Sequence, residues 1–202
     1  AFYHSAKIYD DLYLPRRDSF RREAEEILAI FQKLGQSEGN SLLDVTCGTG
    51  IHLAFLREHF AVESLDNSHE MLQIARAKVP DAILHEQDMV GFQLGRQYDV
   101  IICLFGGINF SRTRDNLQKV LDSMASHLKP GGIAVVRPCF NPDSFEDFAH
   151  VECADLPDKK IARFDVFRRE GDIAHIEFFY CVASVEKGIR HWRERATVGL
   201  FS

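Results

Sequence analysis

One stretch constrains this chain more than any other: Leu42-Leu43-Asp44-Val45-Thr46-Cys47-Gly48-Thr49-Gly50. An apolar run of strand type enters a turn with two glycines, and a helical pattern begins at once. Glycine has no Cβ, so Gly48 and Gly50 let the backbone take left-handed angles and let a ligand approach closely. The helix that follows offers N–H groups with no partner inside it. From here the chain alternates. The spacing of apolar residues predicts strands over 41–46, 61–65, 82–85, 98–105 and 133–136. It predicts helices over 51–59, 68–78 and 115–128, with Ser68 as an N-cap and Lys129-Pro130-Gly131-Gly132 closing the last. The strand over 98–105 is strongly apolar, the mark of burial on both faces. Such an alternation predicts an α/β, doubly wound, Rossmann-like, mainly parallel sheet.

The flanks read differently. Phe20, Ala24, Ile27, Leu28, Phe31 and Leu34 recur at helical spacing, so 18–34 is an amphipathic helix stopped by Gly35. Beyond Pro138, strands over 161–168, 173–185 and 189–200 are separated by Glu170-Gly171-Asp172 and Glu186-Lys187-Gly188, which predicts an appended antiparallel β meander. Phe140, Phe145 and Phe148 are expected under a loop, with Phe140 also a candidate for the wall of a substrate pocket. The expected organisation is a helical cap over 1–40, an α/β core over 41–138 and a β appendage over 139–202.

In an open α/β sheet the ligand crevice lies at the carboxyl ends of the strands. Asp66 ends the second strand, where a carboxylate can accept from both hydroxyls of a ribose. Gln87-Asp88-Met89 follows the third strand: Asp88 is placed to accept from an adenine amino group, and Met89 to pack on the ring. The fourth strand ends at Leu104-Phe105-Gly106-Gly107, whose tip should floor the site. A nucleoside cofactor fits. The dinucleotide fingerprint G-x-G-x-x-G/A needs a third small residue, and Leu53 stands there, which argues against a nicotinamide cofactor.

Composition narrows the partners. With 30 acidic against 24 basic residues and a net charge of −6, the chain lacks the electrostatic footprint of a nucleic-acid binder. Its most apolar run, 100–105, is far short of the roughly 20 residues a membrane span requires. Five scattered cysteines without a C-x-x-C pair read as free thiols of a reducing, cytoplasmic setting, and no cysteine–histidine spacing suggests a metal.

An acidic residue shortly before G-x-G, here Asp44, is the pattern of the class I S-adenosylmethionine-dependent methyltransferases, and the chain resembles them. Within that superfamily it is most similar to bacterial N,N-dimethyltransferases of nucleotide-linked amino sugars, of the desosamine and mycaminose type. The likeness runs through Ile8-Tyr9-Asp10-Asp11-Leu12-Tyr13, the block 42–53, His85-Glu86-Gln87-Asp88-Met89 and Phe92-Gln93-Leu94-Gly95-Arg96. It continues in His127-Leu128-Lys129-Pro130-Gly131-Gly132 and, more particular to the subgroup, Lys187-Gly188-Ile189-Arg190-His191. The resemblance implies S-adenosyl-L-methionine as cofactor, seated by Thr46, Gly48, Asp66, Asp88, Met89 and Leu104, with Asp44, Cys47 and Gly50 in the same turn. Tyr13 matches an active-site tyrosine, and the meander is associated with substrate binding and homodimer contacts. The chain departs from these relatives at Phe110, where they carry tyrosine or histidine, and at Arg137-Pro138-Cys139-Phe140, where they carry an acidic-proline-tryptophan-tryptophan segment. They also continue beyond Ser202, and Ala1 is not a methionine, so the expectation is a chain lacking its last core strands.

The expected chemistry is methyl transfer to a small-molecule acceptor, first of all an amine nitrogen. The transferred methyl is already electrophilic, so the protein must mainly align the reactants. Tyr9, Tyr13 and Phe110 offer aromatic faces to a sulfonium, worth about 0.5–2 kcal/mol. Tyr13 is a candidate to orient the acceptor or pass its proton to water, and Arg137 a candidate for a substrate phosphate or carboxylate. Cys47 reads as a small buried thiol and His52 as structural. The alternatives are O- or C-methylation of a small metabolite, and a protein that binds S-adenosylmethionine without turnover.

Overall fold

Strand β1 (Ser41–Val45) is buried at every residue, and the rest of the molecule is arranged around that fact. Successive residues of a strand face opposite ways, so both faces of β1 need cover. Leu42 packs with Val100 and Ile102 under helices α2 (Arg17–Leu34) and α3 (Leu53–Leu56), through Phe20, Ala24, Ile27, Phe55 and Leu56. Leu43 and Val45 pack on the other side with Ile101, Cys103 and Val120 and Met124 of α5 (Arg114–Ser126). The computed structural model describes residues 6–201; the first five positions of the expected N-terminal cap and Ser202 lie outside them.

β1 pairs in parallel with β2 (Ala61–Asp66) on one side and β4 (Tyr98–Cys103) on the other. β3 (Ile83–Glu86) and β5 (Leu128–Val136) complete a five-stranded sheet in the order β3-β2-β1-β4-β5, parallel at every pairing. Helix α4 (His69–Lys78) starts as expected, with the Ser68 hydroxyl accepting from the Met71 amide. The helix expected over 51–59 is a single α-turn inside a string of tight turns, with i→i+3 bonds from the amides of Phe55, Glu58 and His59.

The expected closing turn at 129–132 belongs to β5 itself. The β4–β5 register slips between Tyr98↔Leu128 and Val100↔Ile133, so this segment bulges opposite Asp99. The Gly131 carbonyl accepts from the amides of Gln36 and Ser37, while Lys129 Nζ reaches the Asp99 carboxylate at 2.8 Å. That carboxylate is buried and also accepts from the Ser41 amide (2.8 Å) and hydroxyl (2.6 Å). One aspartate thus fastens the starts of β1, β4 and β5.

Two elements were not anticipated. Helix α1 (Ala6–Tyr13) precedes α2 through a 3₁₀ turn, Leu14–Arg16. The meander has a fourth strand, β6 (Phe148–Asp155), at the edge of β7 (Lys159–Glu170), β8 (Ile173–Ser184) and β9 (Gly188–Gly199). Phe148, expected under a loop, lies on this strand and stacks on Phe167 with ring centroids 4.2 Å apart. The inner face of the meander carries Trp192, stacked on Tyr180 at 5.0 Å and 4°. No described helix is long and apolar enough to cross a membrane.

Burial opposes ionisation of Asp99, but hydrogen bonds from Lys129 and Ser41 overcome it and hold its carboxyl below the ordinary carboxylate range. A carboxyl depressed in the folded state adds stability above its ordinary value, and that contribution is lost as pH falls towards the folded one. Asp99→Asn should therefore cost roughly 2–4 kcal/mol at neutral pH. Urea denaturation should show wild type and variant converging as the pH drops below about 4.

Candidate functional site

The carboxyl ends of β1, β2 and β4 open into a cavity of about 300 Å³. At its centre the Asp66 carboxylate spans two loops: one oxygen accepts from the Gly48 amide at 2.8 Å, the other from the Ser68 amide at 2.9 Å. Gly48 holds a φ of 56°, and no atom stands within 4 Å of where a Cβ would be, so its backbone is bare to the cavity. Asp44 sits beside this pair, 3% exposed. Burial, and then the Asp66 charge, push its carboxyl well above the usual range. No described residue donates a hydrogen bond to it. Burial likewise raises Asp66 against the hydrogen bonds of Ser68 and Gly48. Two carboxylates in so small a hollow, one of them without a donor, suit a ligand that brings positive charge and donors.

Backbone strain gathers here too. Among described non-glycine residues, Thr46, Phe105 and Arg112 have left-handed φ, at 71°, 53° and 67°, and all three line the cavity. The Thr46 hydroxyl occupies the space that a side chain at position 107 would claim, which is why glycine is needed there.

Of the residues expected from the sequence, the fold brings Tyr9, Asp44, Thr46, Cys47, Gly48, Asp66, Asp88, Met89, Leu104 and Phe110 to this one cavity. Asp88 is exposed and accepts from the Val90 amide, and Met89 is buried. Four expected residues lie elsewhere. Gly50 packs towards Ala75, behind the turn. Arg137 pairs with Glu23 at 3.0 Å. The Phe140 ring joins Phe145 and Phe167 in the meander core. Tyr13 lines a smaller neighbouring cavity of about 170 Å³, and its buried hydroxyl accepts from Arg163 Nη2 at 3.1 Å. Burial, against the pull of the Arg163 charge, raises the Tyr13 hydroxyl above its ordinary value, so it stays protonated at neutral pH.

Sequence reasoning gave several neighbours of the cavity no part in it, His52 among them as a structural residue. His52 lines it and bonds Glu23 at 2.9 Å. That hydrogen bond is the chief reason the Glu23 carboxyl lies below its usual value. Asp10 accepts from the Thr49 hydroxyl and pairs with Lys78 at 2.6 Å, pinning α1 to the glycine turn. The block 8–13 was visible in the sequence, but nothing in it named these partners. Ser111, Arg112 and Asn116 line the cavity as well, together with Phe105 from the strand tip expected to floor the site. Among the described residues no cluster of histidine, cysteine or carboxylate could hold a metal.

Comparison with known proteins gives this geometry its context. Residues 42–132 match the model of a methyltransferase domain. The chain is 35% identical to the dTDP-3-amino-3,4,6-trideoxy-alpha-D-glucopyranose N,N-dimethyltransferase of Streptomyces venezuelae, over 97% of this chain and 83% of that one. It is 37% identical to the dTDP-4-amino-2,3,4,6-tetradeoxy-D-glucose N,N-dimethyltransferase of Saccharopolyspora spinosa, over 98% and 79%. Among solved structures, Streptomyces venezuelae DesVI superposes with a TM-score of 0.91 at 35% identity, covering 97% of this chain and 84% of that one. SAM-bound CalS10, an amino pentose methyltransferase from Micromonospora echinaspora, superposes with a TM-score of 0.86 at 30% identity, covering 96% and 83%. These likenesses span the meander as well as the parallel sheet, and the chain belongs to the class I S-adenosylmethionine-dependent methyltransferases, on the branch that holds the amino-sugar N,N-dimethyltransferases.

Proposed function

We propose that this enzyme methylates the amine nitrogen of a nucleotide-linked amino sugar. The observation that carries the reading is near-full-length identity, meander included, to enzymes named for dTDP-amino sugars. Bound S-adenosylmethionine would supply an electrophilic methyl group, and the cavity's charge fits it. The cofactor carries a sulfonium and an ammonium against one carboxylate, and Asp44 and Asp66 are the groups here that want positive charge and donors. In this proposal Asp44 takes the ammonium, and the bare backbone from Thr46 through Cys47 to Gly48 borders the amino-acid portion. Asp66 accepts from the ribose, Asp88 and Met89 hold the base, and Leu104 floors the site. Tyr9 offers a ring face near the sulfur, and Phe110 lines the same cavity. Gly50 shapes the turn from behind. Residues 41–138 form the cofactor-binding part and 139–202 the acceptor part, under a cap formed by 1–40.

Alignment of acceptor nitrogen, methyl carbon and sulfur can supply roughly 7–11 kcal/mol of the barrier. The chain's part is to exclude water and keep the acceptor amine neutral, which burial favours. Tyr13 enters as an orienting residue rather than a base, because its protonated hydroxyl is held by Arg163. Arg137 and Phe140 remain proposals for the acceptor side, reached only if the loop after β5 rearranges when acceptor binds. Nucleotide-sugar acceptors and free cysteines suit a cytoplasmic enzyme. The exposed Val151 and Phe164, paired across β6 and β7, suit contact with a second copy.

Purified enzyme given S-adenosylmethionine and a dTDP-linked amino sugar should yield mono- and then dimethylated product by mass spectrometry. Methylation confined to hydroxyl or carbon acceptors would overturn the reading. Asp44→Asn should weaken cofactor binding about tenfold or more, equivalent to about 1.4 kcal/mol per tenfold. A carboxyl raised in the folded state costs stability as pH climbs past its ordinary value. The same variant should therefore melt higher than wild type without ligand at pH 7, a pairing of signs that calorimetry can check. Tyr13→Phe leaves one buried guanidinium donor without its acceptor and should cost about 1–2 kcal/mol of stability. Its turnover should fall severalfold, with cofactor affinity within about twofold of wild type by titration.

A further inference from the structure

We propose that Arg112 is the residue that reads the acceptor's diphosphate; this rests on the nucleotide-sugar reading above. Its backbone is the first sign. Arg112 has φ 67° and ψ −38°, and the Thr113 amide donates to the Ser111 carbonyl at 2.8 Å across it. That closes a three-residue γ-turn on a non-glycine residue, a strained conformation that persists only where the surroundings impose it. The surroundings are identifiable. Asn109 is fully buried and donates to the carbonyls of Gly199 (2.8 Å) and Phe140 (3.2 Å) while accepting from the Cys139 amide (2.9 Å). Its own carbonyl accepts from the Arg112 amide at 3.2 Å. Asn116 Nδ2 donates to the Ser111 carbonyl at 3.1 Å from the other side. Three chain segments therefore hold an arginine at the cavity rim in a shape that glycine would adopt more easily.

Charge is the second sign. Asp44, Asp66 and Asp88 line the cavity, and among the described residues Arg112 is the one arginine or lysine that lines it with them. Its guanidinium forms no ion pair with any described residue, Asp88 included, whereas Arg137 and Arg163 nearby are both paired.

Position is the third sign. Phe110, two residues earlier, and Val90 both pack on the core cluster that holds Met89, and all three line the cavity with Arg112, so in this proposal the rim belongs to the base-holding end of the seat. S-adenosylmethionine has a single anionic group, the carboxylate, at the opposite end from its base. A cation at the base end finds no anion in the cofactor. The acceptor brings one: a diphosphate, which an acidic cavity would otherwise repel and which the planar guanidinium fork suits.

The test is calorimetric titration of the S-adenosylhomocysteine-loaded enzyme with thymidine diphosphate, in wild type, Arg112→Gln and Arg112→Gly. Thymidine diphosphate should bind both variants about ten- to a hundredfold more weakly than wild type. S-adenosylhomocysteine affinity should stay within about twofold. Arg112→Gly relieves the strained turn and should melt no lower than wild type, which separates lost recognition from lost folding. In turnover assays the KM for a dTDP-linked amino sugar should rise in both variants while the KM for the same sugar as a simple glycoside stays put. Equal thymidine diphosphate affinity in all three proteins would overturn the role of Arg112 and leave the acceptor class standing. A wild type that ignores thymidine diphosphate altogether would overturn both. A parallel fall in S-adenosylhomocysteine affinity would assign the guanidinium to the cofactor and defeat the proposal.

Discussion

The Asp66 carboxylate is the tie on which the rest of the site depends. With one oxygen on the Gly48 amide and the other on the Ser68 amide, it joins the turn after β1 to the start of α4. It adds to the backbone bonds from the Thr46 and Cys47 amides to the Leu65 carbonyl, which already hold the ends of β1 and β2 together. Buried beside Asp44, it also sets the electrostatic character of the cavity. Two acids are kept close at some cost to the empty protein, and the ligand that relieves the cost must be cationic. The charge of the cavity, and with it the kind of cofactor it suits, follows from one side chain and its neighbour.

Around this tie the molecule is laced at long range. Asp10 reaches Thr49 and Lys78 from α1, Asp11 reaches Lys159, Tyr13 meets Arg163 and Arg16 meets Glu152. The first helix is thus fixed to the glycine turn and α4 by one residue and to the meander by two, with Arg16 of the following 3₁₀ turn adding a third contact to the meander. On the far side, Asn109 joins the loops after β4 and β5 to the end of β9. The cavity is walled by contacts between segments far apart in sequence, so the meander is part of its frame rather than an ornament.

Much of the parallel sheet was legible in the sequence because its signals are local. An apolar strand, a glycine turn and a capping serine each lie within a few residues, and the two-sided burial of β1 and β4 shows in the adjacent apolar pair Leu42-Leu43 and the run from Val100 to Cys103. Asp66 and Asp88 were legible for a related reason: chain order in such a fold places every strand-end acid at the same rim. What escaped was non-local or conformational. Strand β6 hides because exposed alternating residues on an edge carry little hydrophobic contrast. Arg137 and Phe140 were read as facing the site, yet Glu23 and Phe167, each far away in sequence, draw them aside. Tyr13 follows Arg163, 150 positions away. The left-handed turn at Arg112 leaves no mark in composition, because only its surroundings require it.

The stacking of Trp192 on Tyr180 has a practical consequence. It is the chain's single tryptophan, and it lies on β9, in the meander rather than in the parallel sheet. Indole emission from this protein is accordingly a local optical probe. It reports the environment of the second sheet, while helix-sensitive circular dichroism reports the first. Comparing the two signals during unfolding distinguishes one cooperative unit from two that loosen in turn.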